Sequence, residues 1–240
     1  MEQSHEPKID RLTLAALLVG LVLYPVAYST DFFGRLLFAA FPQLLPALLD
    51  ETSRAEWWYF ASSALAFHVA ALLPIWYALK RNGETWATCG VDWTWFYKHR
   101  WAIGGALCAL IGAAFALPGV HYGDALPARS TTIWIGPVTT GQRLFMIVLL
   151  LAGAVSEEIV FRGFALTRLR RWLDQPWLWL IATSASFVLI HGEPRNIAQV
   201  ATYFVAGLAF GAPFVLMRLR RLEIVMVVHF LINASLVLAP

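Results

Sequence analysis

The fold that this sequence predicts is an all-α, polytopic membrane helical bundle with seven or eight transmembrane helices. Three observations carry it: apolar runs of bilayer length recur along the chain, charge is scarce, and the charge present collects in alternate loops. Hydrophobic residues make up 59% of the 240 and charged residues only 14%, against about a quarter in a soluble domain. No soluble domain, linker or repeat interrupts the pattern, so 1–240 reads as a single integral membrane domain.

Crossing about 30 Å of hydrocarbon takes about 20 predominantly apolar residues, and the runs that approach or meet this follow in order. Leu12 to Ser29 comes after Lys8 and Arg11 and has the outline of a secretory signal, but it is long for one and further spans follow. Phe32 to Leu49 is broken by Arg35, Pro42, Gln43 and Pro46, so it spans, re-enters or lies in the interface, and the side of the amino terminus depends on which. Trp57 to Leu79, Trp101 to Val120 and Leu144 to Leu166 are the next three. Trp177 to Ile190, Ile197 to Met217 and Leu222 to Leu238 complete the set. None of them carries a G-x-x-x-G pattern clear enough to predict a dimer face. Cys89 and Cys108 have no spacing partner and suggest neither a disulfide nor a metal framework.

Lys and Arg gather at Lys80, Arg81, Lys98 and Arg100, then at Arg168, Arg170 and Arg171, then at Arg218, Arg220 and Arg221. These loops alternate with poorer ones at 121–142 and 192–196, as consecutive crossings require, and the positive-inside rule makes the basic loops cytoplasmic. The carboxyl terminus then falls outside. The formal net charge of +3 therefore reports membrane topology, and no nucleic-acid partner is expected. Trp57, Trp58, Trp93, Trp95, Trp101, Trp172, Trp177 and Trp179 sit at the ends of apolar runs, where interfacial belts account for them.

Against this background the stretch SEEIVFR, Ser156 to Arg162, is out of place, because ionisable side chains at bilayer depth are costly and face a protein interior or a wet cavity. Glu158 and Arg162 are four apart and share a helix face, where they can pair. Glu157 lies about 100° further round. Pairing of Glu158 with Arg162 leaves Glu157 available as a general base. Two other runs hold polar pairs at the same spacing: Phe187 with His191, and His229 with Asn233. His68, in the run from Trp57, has no polar companion on its face and reads as a satisfied core histidine.

The signatures E-E-x-x-x-R (Glu157, Glu158, Arg162), F-x-x-x-H (Phe187, His191) and H-x-x-x-N (His229, Asn233) together resemble those of the CPBP family. That family contains the CAAX prenyl endopeptidases and the Abi proteins linked to bacteriocin processing or self-immunity. The motif region runs from Leu144 to Ala234, and the helices before it carry no matching signature. What the resemblance implies is an intramembrane glutamic endopeptidase of the cell membrane, acting on a membrane-associated peptide or protein. Glu157 with His191 would activate a water, and His229 with Asn233 would stabilise the oxyanion. Glu158 and Arg162, with Phe187, would support them. Hydrolysis needs this division between a base and donors.

No cofactor is expected, although Glu157, His191 and His229 form a chemically feasible zinc set as a minority alternative. Two non-proteolytic readings stand beside the enzyme: a bacteriocin-immunity or scaffold membrane protein without catalysis, and a small proton-coupled transporter, since proton relays use the same residue types. His68→Ala is expected to leave catalysis nearly unchanged. Counting about 1.5 Å per residue from the cytoplasmic ends puts Glu157 and His229 roughly 10 Å deep and His191 roughly 18 to 20 Å deep, a mismatch in level that the fold has to resolve.

Overall fold

The computed structural model describes residues 10–29, 39, 55–105, 139–191 and 196–238. Among the described residues every regular element is helical. Helix α1 covers Arg11–Leu18 and Tyr24–Ser29, joined by a wide π turn at Val19–Leu23. Asp10 caps it by accepting from the backbone N–H of Leu12 and Thr13, each at 2.9 Å. α2 is Ala55–Arg81 and α3 is the short Trp93–Lys98. α4 starts with Thr140–Glu157, behind a capping box of Thr139 and Gln142, passes through a π segment at Glu158–Phe164 and ends with Ala165–Leu169. α5 is Pro176–Leu189, α6 is Ile197–Leu216 and α7 is Leu222–Leu238.

By length and composition, four helical stretches among the described residues are sufficient to cross a membrane: Arg11–Tyr28, Ala61–Arg81, Thr140–Leu169 and Ile197–Leu216. α5 is apolar but shorter, as is the Leu222–Ala234 part of α7. Of the run Trp101 to Val120 only the start, to residue 105, is described. Phe32 to Leu49 lies outside the described residues, apart from residue 39. The surface suits lipid: Leu73, Val148, Ile181, Val205 and Ile232 are exposed, while His68, Glu158, Arg162, Arg168, Glu223 and His229 are buried. Polar groups inside and apolar groups outside is the arrangement a bilayer imposes.

Side-chain contacts fix the helix directions. Asn82 at the end of α2 donates to Asp10 at the start of α1 (2.8 Å), and Tyr24 meets His68 further along, so these two helices are antiparallel. The amino end of α1 therefore stands at the same end of the bundle as the basic loop after α2. α2 runs parallel to α4, since Trp58 packs on Phe145, His68 on Ser156, and Glu84 pairs with Arg168. α7 is antiparallel to α4, with Leu222 against Gly163 and His229 against Glu158.

α5 and α6 form a tight antiparallel pair through a feature that the sequence reading passed over. Gly207 and Gly211 form a G-x-x-x-G stripe inside one chain. A β-carbon at Gly207 would lie 2.9 Å from Ser184 Cβ, and one at Gly211 would lie 2.2 Å from Leu180 Cδ1. The two glycines thus let the backbones of α5 and α6 approach. The turn from α6 to α7 places Arg218, Leu219 and Arg221 at φ of 57°, 58° and 67°. Three non-glycine residues in the left-handed region are uncommon, and neighbours hold them there. Leu222 N–H donates to Gly90 O at 2.9 Å, Asp92 N–H donates to Glu223 at 3.0 Å, and Arg221 pairs with Asp92 at 2.6 Å.

Candidate active site

The two adjacent glutamates have different surroundings. Glu158 is fully buried, and its Oε1 accepts from Arg162 Nη1 at 3.2 Å and from His229 Nδ1 at 2.8 Å. The expected pair with Arg162 is present, and His229 joins it as a second partner. Arg162 is also fully buried; its Nη2 donates to Gly207 O at 2.9 Å, and its guanidinium lies 4.5 Å above the Phe187 ring. The α5–α6 glycine contact therefore reaches the site directly, because it delivers the carbonyl that holds Arg162. Glu157 keeps 12% of its side chain exposed, and its Oε2 stands 3.9 Å from His229 Nε2. Among the described residues it accepts no hydrogen bond.

The segment that carries Glu158 and Arg162 is the π segment of α4, all seven residues of which are buried. π turns widen a helix locally and occur frequently at functional sites. No sequence signal for this one was read, although it coincides with the motif.

Hydrogen bonding assigns the histidine tautomers. A carboxylate only accepts, so His229 donates Nδ1–H to Glu158 and turns Nε2 towards Glu157. That nitrogen offers a proton to an oxyanion when the ring carries both protons, with Glu158 behind it as countercharge. His191 donates Nδ1–H to Phe187 O at 3.1 Å, which leaves Nε2 as the basic nitrogen. Its ring stacks on Tyr203 with centroids 4.0 Å apart, while the ring of His229 stacks on Phe210 at 4.1 Å. Phe187 lies between the two imidazoles, edge-on to His191 at 4.7 Å and to His229 at 6.3 Å. Asn233, one turn beyond His229 on α7, is half-buried and has no hydrogen-bond partner among the described residues.

The mismatch in level disappears because helix ends are not flush. α4 continues to Leu169, which puts Glu157 about 18 Å from that end, and His191 lies about 22 Å from the start of α5 at Pro176. Phe161 packs edge-on against Phe187 with centroids 5.5 Å apart, so one turn back along α4 and one turn on along the antiparallel α5 bring Glu157 and His191 to one level. α7 begins recessed: Leu222 abuts Gly163, about 9 Å inside the end of α4, which carries His229 down to the same depth.

The residue that sequence reasoning set aside is His68. It is buried, and it has polar company: Nδ1 lies 2.9 Å from Tyr24 Oη and 2.9 Å from Ser156 Oγ. Its Nε2 faces Gly153, one turn before Glu157 on α4. The partners come from α1 and α4, so a search along α2 alone could not find them. Among the described residues no group of three or more His, Cys, Asp or Glu side chains is arranged to hold a metal ion, and Glu157, His191 and His229 do not form one.

Residues 139–235 match the family model Rce1-like, described as type II CAAX prenyl endopeptidase Rce1-like. No curated protein and no solved structure matches the chain. The matched segment begins at the cap of α4, ends in α7 and contains every residue of the three motifs. The similarity to the Rce1-like family thus lies in residues 139–235, the part of this membrane protein that carries the three motifs.

Proposed function

We propose that the protein hydrolyses a peptide bond of a membrane-associated protein or peptide, within the plane of the cell membrane, with a water activated by Glu157. The observation that carries this reading is the contrast between the two glutamates: Glu158 is clasped by Arg162 and His229, while Glu157 is left partly exposed with no hydrogen bond among the described residues. In this reading Glu157, assisted by the basic Nε2 of His191, takes a proton from water as its oxygen attacks the carbonyl carbon. His229 Nε2–H and the amide of Asn233 receive the oxyanion, and the proton passes to the departing amine as the C–N bond breaks. Glu158, Arg162 and Phe187 hold these groups in place. The family match supports the reaction class, and the open acceptors on Glu157 support its role.

The test is a quantitative survey of protein termini in cells of the native host carrying wild type or Glu157→Ala at matched expression. The expected outcome is a set of new termini that require Glu157. If no such termini exist and Glu157→Ala restores a deletion phenotype as well as wild type, the proteolytic reading falls and a non-catalytic membrane scaffold takes its place.

A further inference from the structure

We infer that His68 and Gly153 complete the site: the notch left by the missing side chain of Gly153 holds the hydrolytic water between His68 Nε2 and Glu157 Oε1. The inference rests on the proteolytic reading and goes beyond it, since neither residue belongs to the three motifs.

A β-carbon built at Gly153 lies 3.4 Å from His68 Nε2, 3.5 Å from His68 Cε1 and 3.7 Å from Glu157 Oε1. The space beside Gly153 is therefore bordered by the His68 imidazole and by the carboxylate of the candidate base. Residue 153 is one helical turn before Glu157, on the same face of α4. Both Gly153 and His68 are buried, so the notch is screened from bulk solvent. A water there has two polar partners, His68 Nε2 and Glu157 Oε1, and a retained water needs such partners.

The tautomer follows from the hydroxyls. Ser156 Oγ donates to Gly153 O at 3.1 Å, which uses its single proton. The Ser156 oxygen, its proton spent, accepts from His68 Nδ1–H at 2.9 Å, with the Tyr24 hydroxyl 2.9 Å from the same nitrogen. With Nδ1 donating, the lone pair of Nε2 faces the notch. A water placed there donates one hydrogen to His68 Nε2 and the other to Glu157 Oε1. Its lone pairs are free for the carbonyl carbon, and the O–H proton on the Glu157 side moves to Glu157 as the C–O bond forms. His68 gains and loses no proton, and its part is to hold the oxygen.

The experiment uses full-length purified protein and a quenched fluorescent peptide spanning one of the Glu157-dependent termini. His68→Ala should lower kcat by about tenfold or more with KM nearly unchanged, as loss of a positioned reactant does. His68→Gln, whose amide oxygen reaches towards the position of Nε2 as an acceptor, should recover most of the loss. Gly153→Ala fills the notch at ordinary contact distances, so it should match His68→Ala in kcat while keeping the thermal midpoint of wild type. Because this second variant avoids the buried hydrogen bonds, it decides the matter even where His68→Ala fails to fold. Folded Gly153→Ala with kcat within twofold of wild type overturns the inference, whereas activity retained by Glu157→Gln overturns the proteolytic reading itself.

Discussion

At the scale of single residues, Glu157 and Glu158 are successive on one helix, yet substitution should affect them in opposite ways. Glu157→Gln removes a group without hydrogen-bond partners among the described residues, so folded yield should hold while cleavage falls by roughly 100-fold or more. Peptide-cleavage kinetics beside size-exclusion chromatography read both quantities. Arg162→Ala instead strands a wholly buried carboxylate and releases the Gly207 carbonyl. The expected cost is about 3–5 kcal/mol of stability, visible as early unfolding in a denaturant titration in detergent. The spacing of four between Glu158 and Arg162 made their pairing legible in the sequence. Their third partner, His229, was not legible as such, because its Nδ1 arrives from a helix 71 residues away. The same reason hid His68, whose hydroxyl partners stand on α1 and α4.

Helix ends form the next level. Burial pushes the Asp10 carboxyl up, but hydrogen bonds from the Thr13 side chain and backbone, Asn82 and the Leu12 N–H outweigh it and lower its pKa to about 2. A lowered carboxylate contributes stability that is present above its unfolded pKa of about 4 and is lost as pH falls through about 2. Asp10→Ala should therefore cost about 1 kcal/mol near neutral pH. That difference from wild type should shrink in unfolding titrations carried towards pH 2. The turn between α6 and α7 stores strain of the other kind. Arg218→Gly relieves a left-handed non-glycine backbone and should raise stability by up to about 1 kcal/mol, read as a higher unfolding midpoint. Helix existence was legible from the apolar runs. The π segments and the left-handed turn were not, because each is imposed by a neighbouring element rather than by local propensity.

In the whole molecule, an apolar core encloses a buried polar set, and one small-residue stripe decides how tightly α5 and α6 close. Gly211→Val would drive a side chain into Leu180 and should destabilise by about 1–3 kcal/mol. Gly207→Val should in addition reduce cleavage more than stability, since it displaces the carbonyl that steadies Arg162; comparison of kcat with the unfolding midpoint separates the two effects. The sequence showed a membrane bundle and a triplet of motifs, and the alternation of basic loops gave the direction of the crossings from Trp57 onward. It did not show vertical offsets, because counting from each apolar run assumes that all helices begin at one plane. α7 begins about 9 Å inside the end of α4, with Leu222 against Gly163. In the proteolytic reading, that recess has a consequence for what can be cut. A peptide approaching from the basic end meets Glu157 only about 18 Å below the end of α4, a distance that extended chain covers in about five or six residues. Folded or helical tails shorter than that reach would stop at the rim, so slack between a substrate's last rigid element and its scissile bond becomes a selection criterion independent of side-chain identity.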